Sequence, residues 1–217
     1  MEIGQITLNV SFVLYLFYLV PQIIHNFRDG QIKKLSLLMH SILLLAYIFD
    51  LVYGCGRKME WQYIAVSLVG LFCLLIQHFQ IIVNYQFEGF EKRFFGTFTV
   101  FAYLIIFMSV YLIFAESLSK SFLITLGGIS QLGWLTYAIP QIVKNYNLKS
   151  AKGLSIFFII FVSLITFCDV ISAWSLNWDL PNKIGSPISL LMKLTLLTQF
   201  FLYSNKALPR SKRQNKE

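Results

Sequence analysis

Three charged side chains lie inside apolar stretches of this chain, away from their ends: Asp50, Asp169 and Lys193. A charge at the centre of a membrane-spanning helix costs about 2.5–3.5 kcal/mol on insertion scales, so such residues usually face a cavity or a partner. Two acids at one depth around a shared cavity would form an anionic mouth, suited to a cationic substrate, a proton, or both. The plainer alternative is that each Asp meets interfacial water or caps a neighbouring helix. Lys193 is free to pair with Asp169, to titrate as a desolvated amine or to bind a substrate carboxylate; alternatively its stem simply carries the ammonium to a polar edge.

A second constellation is a repeated Pro-Gln pair. Tyr18-Leu-Val-Pro21-Gln22-Ile-Ile-His-Asn26 is answered 119 positions later by Tyr137-Ala-Ile-Pro140-Gln141-Ile-Val-Lys-Asn145, and each copy ends in Lys-x-Leu-Ser. Proline inside a helix frees the carbonyl four residues earlier, here those of Phe17 and Thr136, and kinks the helix. Paired kinks make paired hinges, with Gln22 and Gln141 placed to bond the freed backbone or a neighbouring helix; the competing reading is that the prolines only shape a bundle. Tyr15 and Trp134 match under the same offset and lie about two turns before the Pro-Gln pairs, where an aromatic ring can cover a sugar or an amino-acid side chain. Gln77 and His78 are weaker candidates that could approach Lys193, and His40 is weaker still. Cys55, Cys73 and Cys168 have no metal or redox spacing.

The elements that must position these residues follow from the repeat. Across 18–36 and 137–155 eight of nineteen positions are identical, and the offset continues through Asp50/Asp169, Ser67/Ser186 and Gln80/Gln199. Internal repeats decide architecture before other signals do. The composition is 57% hydrophobic, 17% aromatic and 13% charged, with mean hydropathy +0.66, too few charges to cover a soluble globule of this size. Seven stretches reach the length of about 20 residues that a bilayer requires: roughly 5–24, 35–54, 62–85, 94–115, 121–143, 154–175 and 185–204.

The expected fold is therefore all-α integral membrane, two parallel three-helix repeats (1–86 and 120–204) joined by a linker helix (87–119), followed by a basic tail (205–217). The start lacks the pattern of a cleavable signal, so the first helix would serve as its own insertion signal. Thirteen Lys/Arg fall in the 1–2, 3–4 and 5–6 loops and the tail, against Arg57, Lys58, Lys120 and Lys183 opposite. That bias places the N-terminus outside or lumenal and the C-terminus cytosolic. The net charge of +8 is then mostly a topology signal, and no nucleic-acid site follows from it.

Paired Pro-Gln motifs, each closing the first helix of a three-helix unit and each followed by a loop ending in Leu-Ser, resemble the PQ-loop family over about residues 10–204. That family includes cystinosin, the lysosomal cationic amino-acid exporters and, more distantly, the SWEET sugar transporters. The resemblance implies two three-helix bundles around a central cavity. It also makes Ser67 and Ser186, on the third helix of each unit, candidates for contact with the solute, with small-residue helix packing as the alternative. Cystinosin and its relatives carry an aspartate, implicated in proton coupling, where this chain has Lys193 before Gln199 and Leu202-Tyr203; that departure weighs against a copied mechanism.

The expected function is a secondary transporter of a small polar solute. A cationic or zwitterionic amino acid is the first choice, moved by alternating access; protons are the candidate coupling ion, and no other cofactor is expected. The alternatives are a SWEET-like sugar uniporter and a non-transporting receptor on the same fold. An enzyme is disfavoured because no nucleophile, metal or phosphate-loop motif is present. Expected partners are the solute and the lipid bilayer; a homo-oligomer is compatible with the sequence, although two fused repeats already enclose a pathway. A bacterial inner membrane and an endolysosomal membrane fit equally.

Overall fold

The computed structural model describes residues 2–28, 32–59, 61–114, 118–177 and 180–204. The basic tail expected at 205–217 lies outside the described residues. In chain order the helices are α1 (Glu2–Phe17), α2 (Val20–Asn26), α3 (Leu37–Gly56), α4 (Trp61–Asn84), α5 (Gly89–Phe114), α6 (Lys120–Thr136), α7 (Ala138–Leu148), α8 (Ile156–Ser175) and α9 (Leu180–Ser204), with a 3-10 turn at Ile32–Lys34. They supply seven candidate membrane spans, because α1 with α2, and α6 with α7, each form one broken span: Glu2–Asn26 and Lys120–Leu148.

Both breaks fall just before a proline. In the first span, α1 stops at Phe17 and α2 starts at Val20; the amides of Gln22 and Ile23 then both donate to the Leu19 carbonyl, at 3.1 and 3.0 Å. In the fifth span the interruption is Tyr137 alone, whose amide still donates to Gly133 O at 2.9 Å. A missing amide and a crowded carbonyl produce this local loss of helix. Ser36 ends the Leu-Ser motif of the first copy and caps α3, its Oγ accepting from the Met39 amide at 3.2 Å. A third proline, Pro187, lies within α9, at a position that answers to Leu68 in the first copy.

The helices interlock across the repeats. α1 packs along α8 and α3 packs along α6, so the first span of each repeat lies against the second span of the other, while α4 packs on α3, α9 on α8, and α5 leans on α3. The centre is aromatic: Tyr18, Tyr47, Tyr137 and Phe158 are all fully buried. α5 turns Val100, Leu104, Phe107 and Tyr111 outward, an apolar surface suited to lipid.

Candidate functional site

At the Pro-Gln end the two repeats exchange hydrogen bonds with twofold regularity. Gln22 Nε2 donates to Gly153 O at 3.1 Å, and its Oε1 accepts from the Ser155 amide at 2.7 Å. Gln141 Nε2 donates to Lys34 O at 3.2 Å, and its Oε1 accepts from the Ser36 amide at 2.6 Å. Each glutamine thus holds the Leu-Ser loop of the opposite repeat, rather than the freed helical carbonyl that the sequence offered as one option. The glutamines also donate to Asn26 Oδ1 and Asn145 Oδ1, at 2.8 and 2.7 Å. Those asparagines donate to Gln80 and Gln199, each at 3.1 Å, whose own amides reach the carbonyls of Ile23 and Ile142. All six side chains are buried, so every bond counts against an alternative in which a polar group is stranded.

Lys144 and its counterpart His25 extend this symmetry: Lys144 Nζ donates to the carbonyls of Lys33 and Leu35, at 3.0 and 2.8 Å, and His25 Nε2 lies 2.9 Å from the carbonyl of Lys152, the match to Lys33. Gly153 allows the closest approach. A Cβ there would run into the Lys34–Leu35 backbone, which is why the loop of the second repeat can sit directly against that of the first.

The two acids occupy the same place in their helices but have different surroundings. Asp50 on α3 is buried and accepts from three hydroxyls: Tyr63, Ser67 at 2.9 Å and Ser130 at 3.0 Å. Ser130 also donates toward Ala46 O, tying α6 to α3. Ser67 is therefore an Asp50 partner, and the sequence did not single out Tyr63 or Ser130. Asp169 on α8 is half-buried, and its Oδ2 accepts from Tyr15 OH of α1 at 2.9 Å. Among the described residues Ser186, the match to Ser67, makes no side-chain hydrogen bond. The pair is symmetric in part: each carboxylate meets a serine from the first span of the other repeat, Ser130 at Asp50 and its match Ser11 at Asp169, while Asp50 adds Tyr63 and Ser67 and Asp169 adds Tyr15.

Between the acids and the Pro-Gln end lies an aromatic wall. Tyr15 meets Trp134 edge-on at 6.5 Å, Trp134 meets Tyr47 at 4.8 Å and Tyr137 at 6.0 Å, and Tyr18 shares a 2.7 Å hydrogen bond with Tyr47. Lys193 ends this wall. Its ammonium donates to Ser189 Oγ and stands 4.7 Å from the centre of the Tyr137 ring. The side chain is 2% exposed, so it does not carry its charge to a polar edge. The ion pair with Asp169, one of its expected roles, is not formed among the described residues.

Gln77 and His78 do not approach Lys193 by hydrogen bonding; they join His40 instead. His40 Nδ1 lies 3.1 Å from Gln77 Oε1, His40 Nε2 3.0 Å from His78 Nδ1, and His78 Nε2 3.2 Å from Thr99 Oγ1 on α5. The two rings stack with centroids 5.2 Å apart. This buried row belongs to the first repeat and α5 alone, since the offset places Ile159, Leu196 and Leu197 opposite His40, Gln77 and His78. Two surface clefts, one between α3, α5 and α6 and one between α3 and α7, are lined by neither acid nor by Lys193.

Comparison with known proteins agrees with this twofold arrangement. A family model described as the PQ loop repeat matches residues 3–63 and 122–182, the same displacement that relates the two sequence copies. The vacuolar histidine transporter YPQ3 of Saccharomyces cerevisiae (strain ATCC 204508 / S288c) is 42% identical over 79 residues, 36% of this chain and 25% of the relative. The vacuolar lysine transporter YPQ1 of the same yeast is 36% identical over 84 residues, 36% of this chain and 27% of the relative. The chain spans about a quarter of the length of the curated relatives it matches.

Proposed function

We propose a transport function for this chain, which belongs to the PQ-loop repeat family and is a multi-pass integral membrane protein. The solute is a small amino acid, cationic or zwitterionic, moved by alternating access between two three-helix repeats with α5 as the linker, the N-terminus outside or lumenal and the C-terminus cytosolic. The described structure is then the state closed at the Pro-Gln end. The kinks at Pro21 and Pro140 act as hinges, and Gln22 and Gln141 act as the latches released when that end opens.

The observation that carries this reading is the Tyr15–Asp169 bridge. It is a carboxylate on the second repeat held by a hydroxyl from the first, at the seam where alternating access separates the halves. A solute ammonium or a proton that takes the place of the tyrosine hydroxyl on Asp169 would couple binding to movement of α1 against α8. Asp50, saturated by the hydroxyls of Tyr63, Ser67 and Ser130, serves as a structural anchor in this scheme. The named substrates of the two yeast relatives, histidine and lysine, support an amino-acid solute, and their transport roles fit a protein that is not an enzyme.

The test is uptake of labelled histidine, lysine, arginine, a neutral amino acid and glucose into proteoliposomes, with and without an imposed proton gradient, for wild type and Asp169→Asn. The expected result is amino-acid uptake stimulated by the gradient and abolished in the variant. Glucose uptake indifferent to the gradient would assign the protein to the sugar branch. Binding without uptake of any solute would favour a receptor.

A further inference from the structure

We propose that Lys193 is the anchor for the carboxylate of the solute, so that the site takes an α-amino acid by both ends of its zwitterionic head, the ammonium at Asp169 and the carboxylate at Lys193. This rests on the transport reading above and adds to it the group that the anion would meet.

Lys193 lies within the last span, Lys183–Tyr203, and is 2% exposed. Both of its contacts, the Ser189 hydroxyl and the Tyr137 ring face, are neutral, and among the described residues no carboxylate comes within the 4.0 Å of an ion pair. Neutral partners lower the cost of a buried ammonium but put no opposite charge in contact with it, a place that a bound anion fills. Asp169 is near enough to interact with it electrostatically without touching it. Tyr15, Trp134 and Tyr137 form a continuous aromatic face leading from Asp169 to Lys193. Opposite charges held apart along one apolar face fit a ligand that carries both charges itself.

The break in symmetry points the same way. The first repeat has Leu74, fully buried, where the second has Lys193, so the cation gives the site a direction. An amino-acid head group has a direction of the same kind. A phosphate dianion would meet a single ammonium and be repelled by Asp169, and a sugar offers no charge to either group.

The experiment uses the full chain in proteoliposomes taking up labelled histidine and lysine, challenged with the free amino acids, their methyl esters and the corresponding decarboxylated amines, histamine and cadaverine. In the wild type the ester and the amine should compete about 10-fold or more less well than the free acid, the loss expected when a charged group loses its bonded partner. In Lys193→Met that gap should close, and in Lys193→Arg it should persist. An ester that competes as well as the free acid in the wild type, or a gap that survives in Lys193→Met, overturns the anchor alone. Absence of any amino-acid uptake by the wild type overturns the transport reading and the anchor with it. The wild-type competition series decides the question by itself if Lys193→Met fails to fold.

Discussion

The latch at the Pro-Gln end makes a quantitative demand on Gln22 and Gln141. Each makes two bonds to the opposite repeat, one from its amide and one to its carbonyl oxygen. At a net 0.5–1.5 kcal/mol per bond, Gln22→Ala should shift the balance toward opening at that end by about 1–3 kcal/mol. A resting population of about 1% open would rise to roughly 5–60%. Spin labels at Phe27 and Tyr146, equivalent exposed positions at the ends of α2 and α7, report the separation of the two repeats directly by dipolar distance measurement. The wild type should give one narrow distribution. Gln22→Ala should add a longer component, and Gln22→Ala with Gln141→Ala should make that component dominant. An unchanged distribution in the double variant would refute the latch, because four cross-repeat bonds would then have been removed without releasing either loop.

Asp50→Asn should lower thermal stability by about 1–3 kcal/mol, since it disturbs an acceptor shared by Tyr63, Ser67 and Ser130. It should spare uptake, the reverse of the pattern expected for Asp169→Asn; melting in detergent and proteoliposome uptake read the two effects separately. For the histidine row, His40→Ile or His78→Leu alone strands the other ring, whereas the double variant reproduces the residues of the second repeat. The singles should each be less stable than the double predicts by additivity, with a coupling of about 0.5–3 kcal/mol in a double-mutant cycle followed by thermal unfolding.

The fold was open to reading from the sequence wherever one residue type has one physical consequence. Prolines at 21 and 140 break a helix whatever surrounds them, and both spans are interrupted just before them. Long apolar runs must span, and seven candidate spans are found. The offset also carried Gln80 and Gln199 to matching places, where they complete the same network.

Partners contributed by other helices were much harder to read. Tyr63 reaches Asp50 from α4 and Ser130 from α6, and neither lies at a helical interval from it. The Leu-Ser motif looked like a loop signature, yet its function here resides in the backbone amides of Ser36 and Ser155, which no side-chain pattern reports. His40 and His78 are 38 residues apart and meet only because α3 and α4 are neighbours. Ser189, by contrast, is one helical turn before Lys193 and was available from spacing alone.

The exchange of loops between the halves has a consequence for splitting the gene. On the proposed three-helix division, a lone unit would keep its buried glutamine but lose both of that glutamine's partners on the opposite unit, and its own Leu-Ser amide would lose its acceptor. Two identical units brought together about a twofold axis restore all four bonds at once. On that division the two halves meet as two subunits would, and the groups they bury need no covalent join to find their partners. Lys193 stands in one copy only, and His40 and His78 only in the other, differences that a pair of identical subunits could not carry.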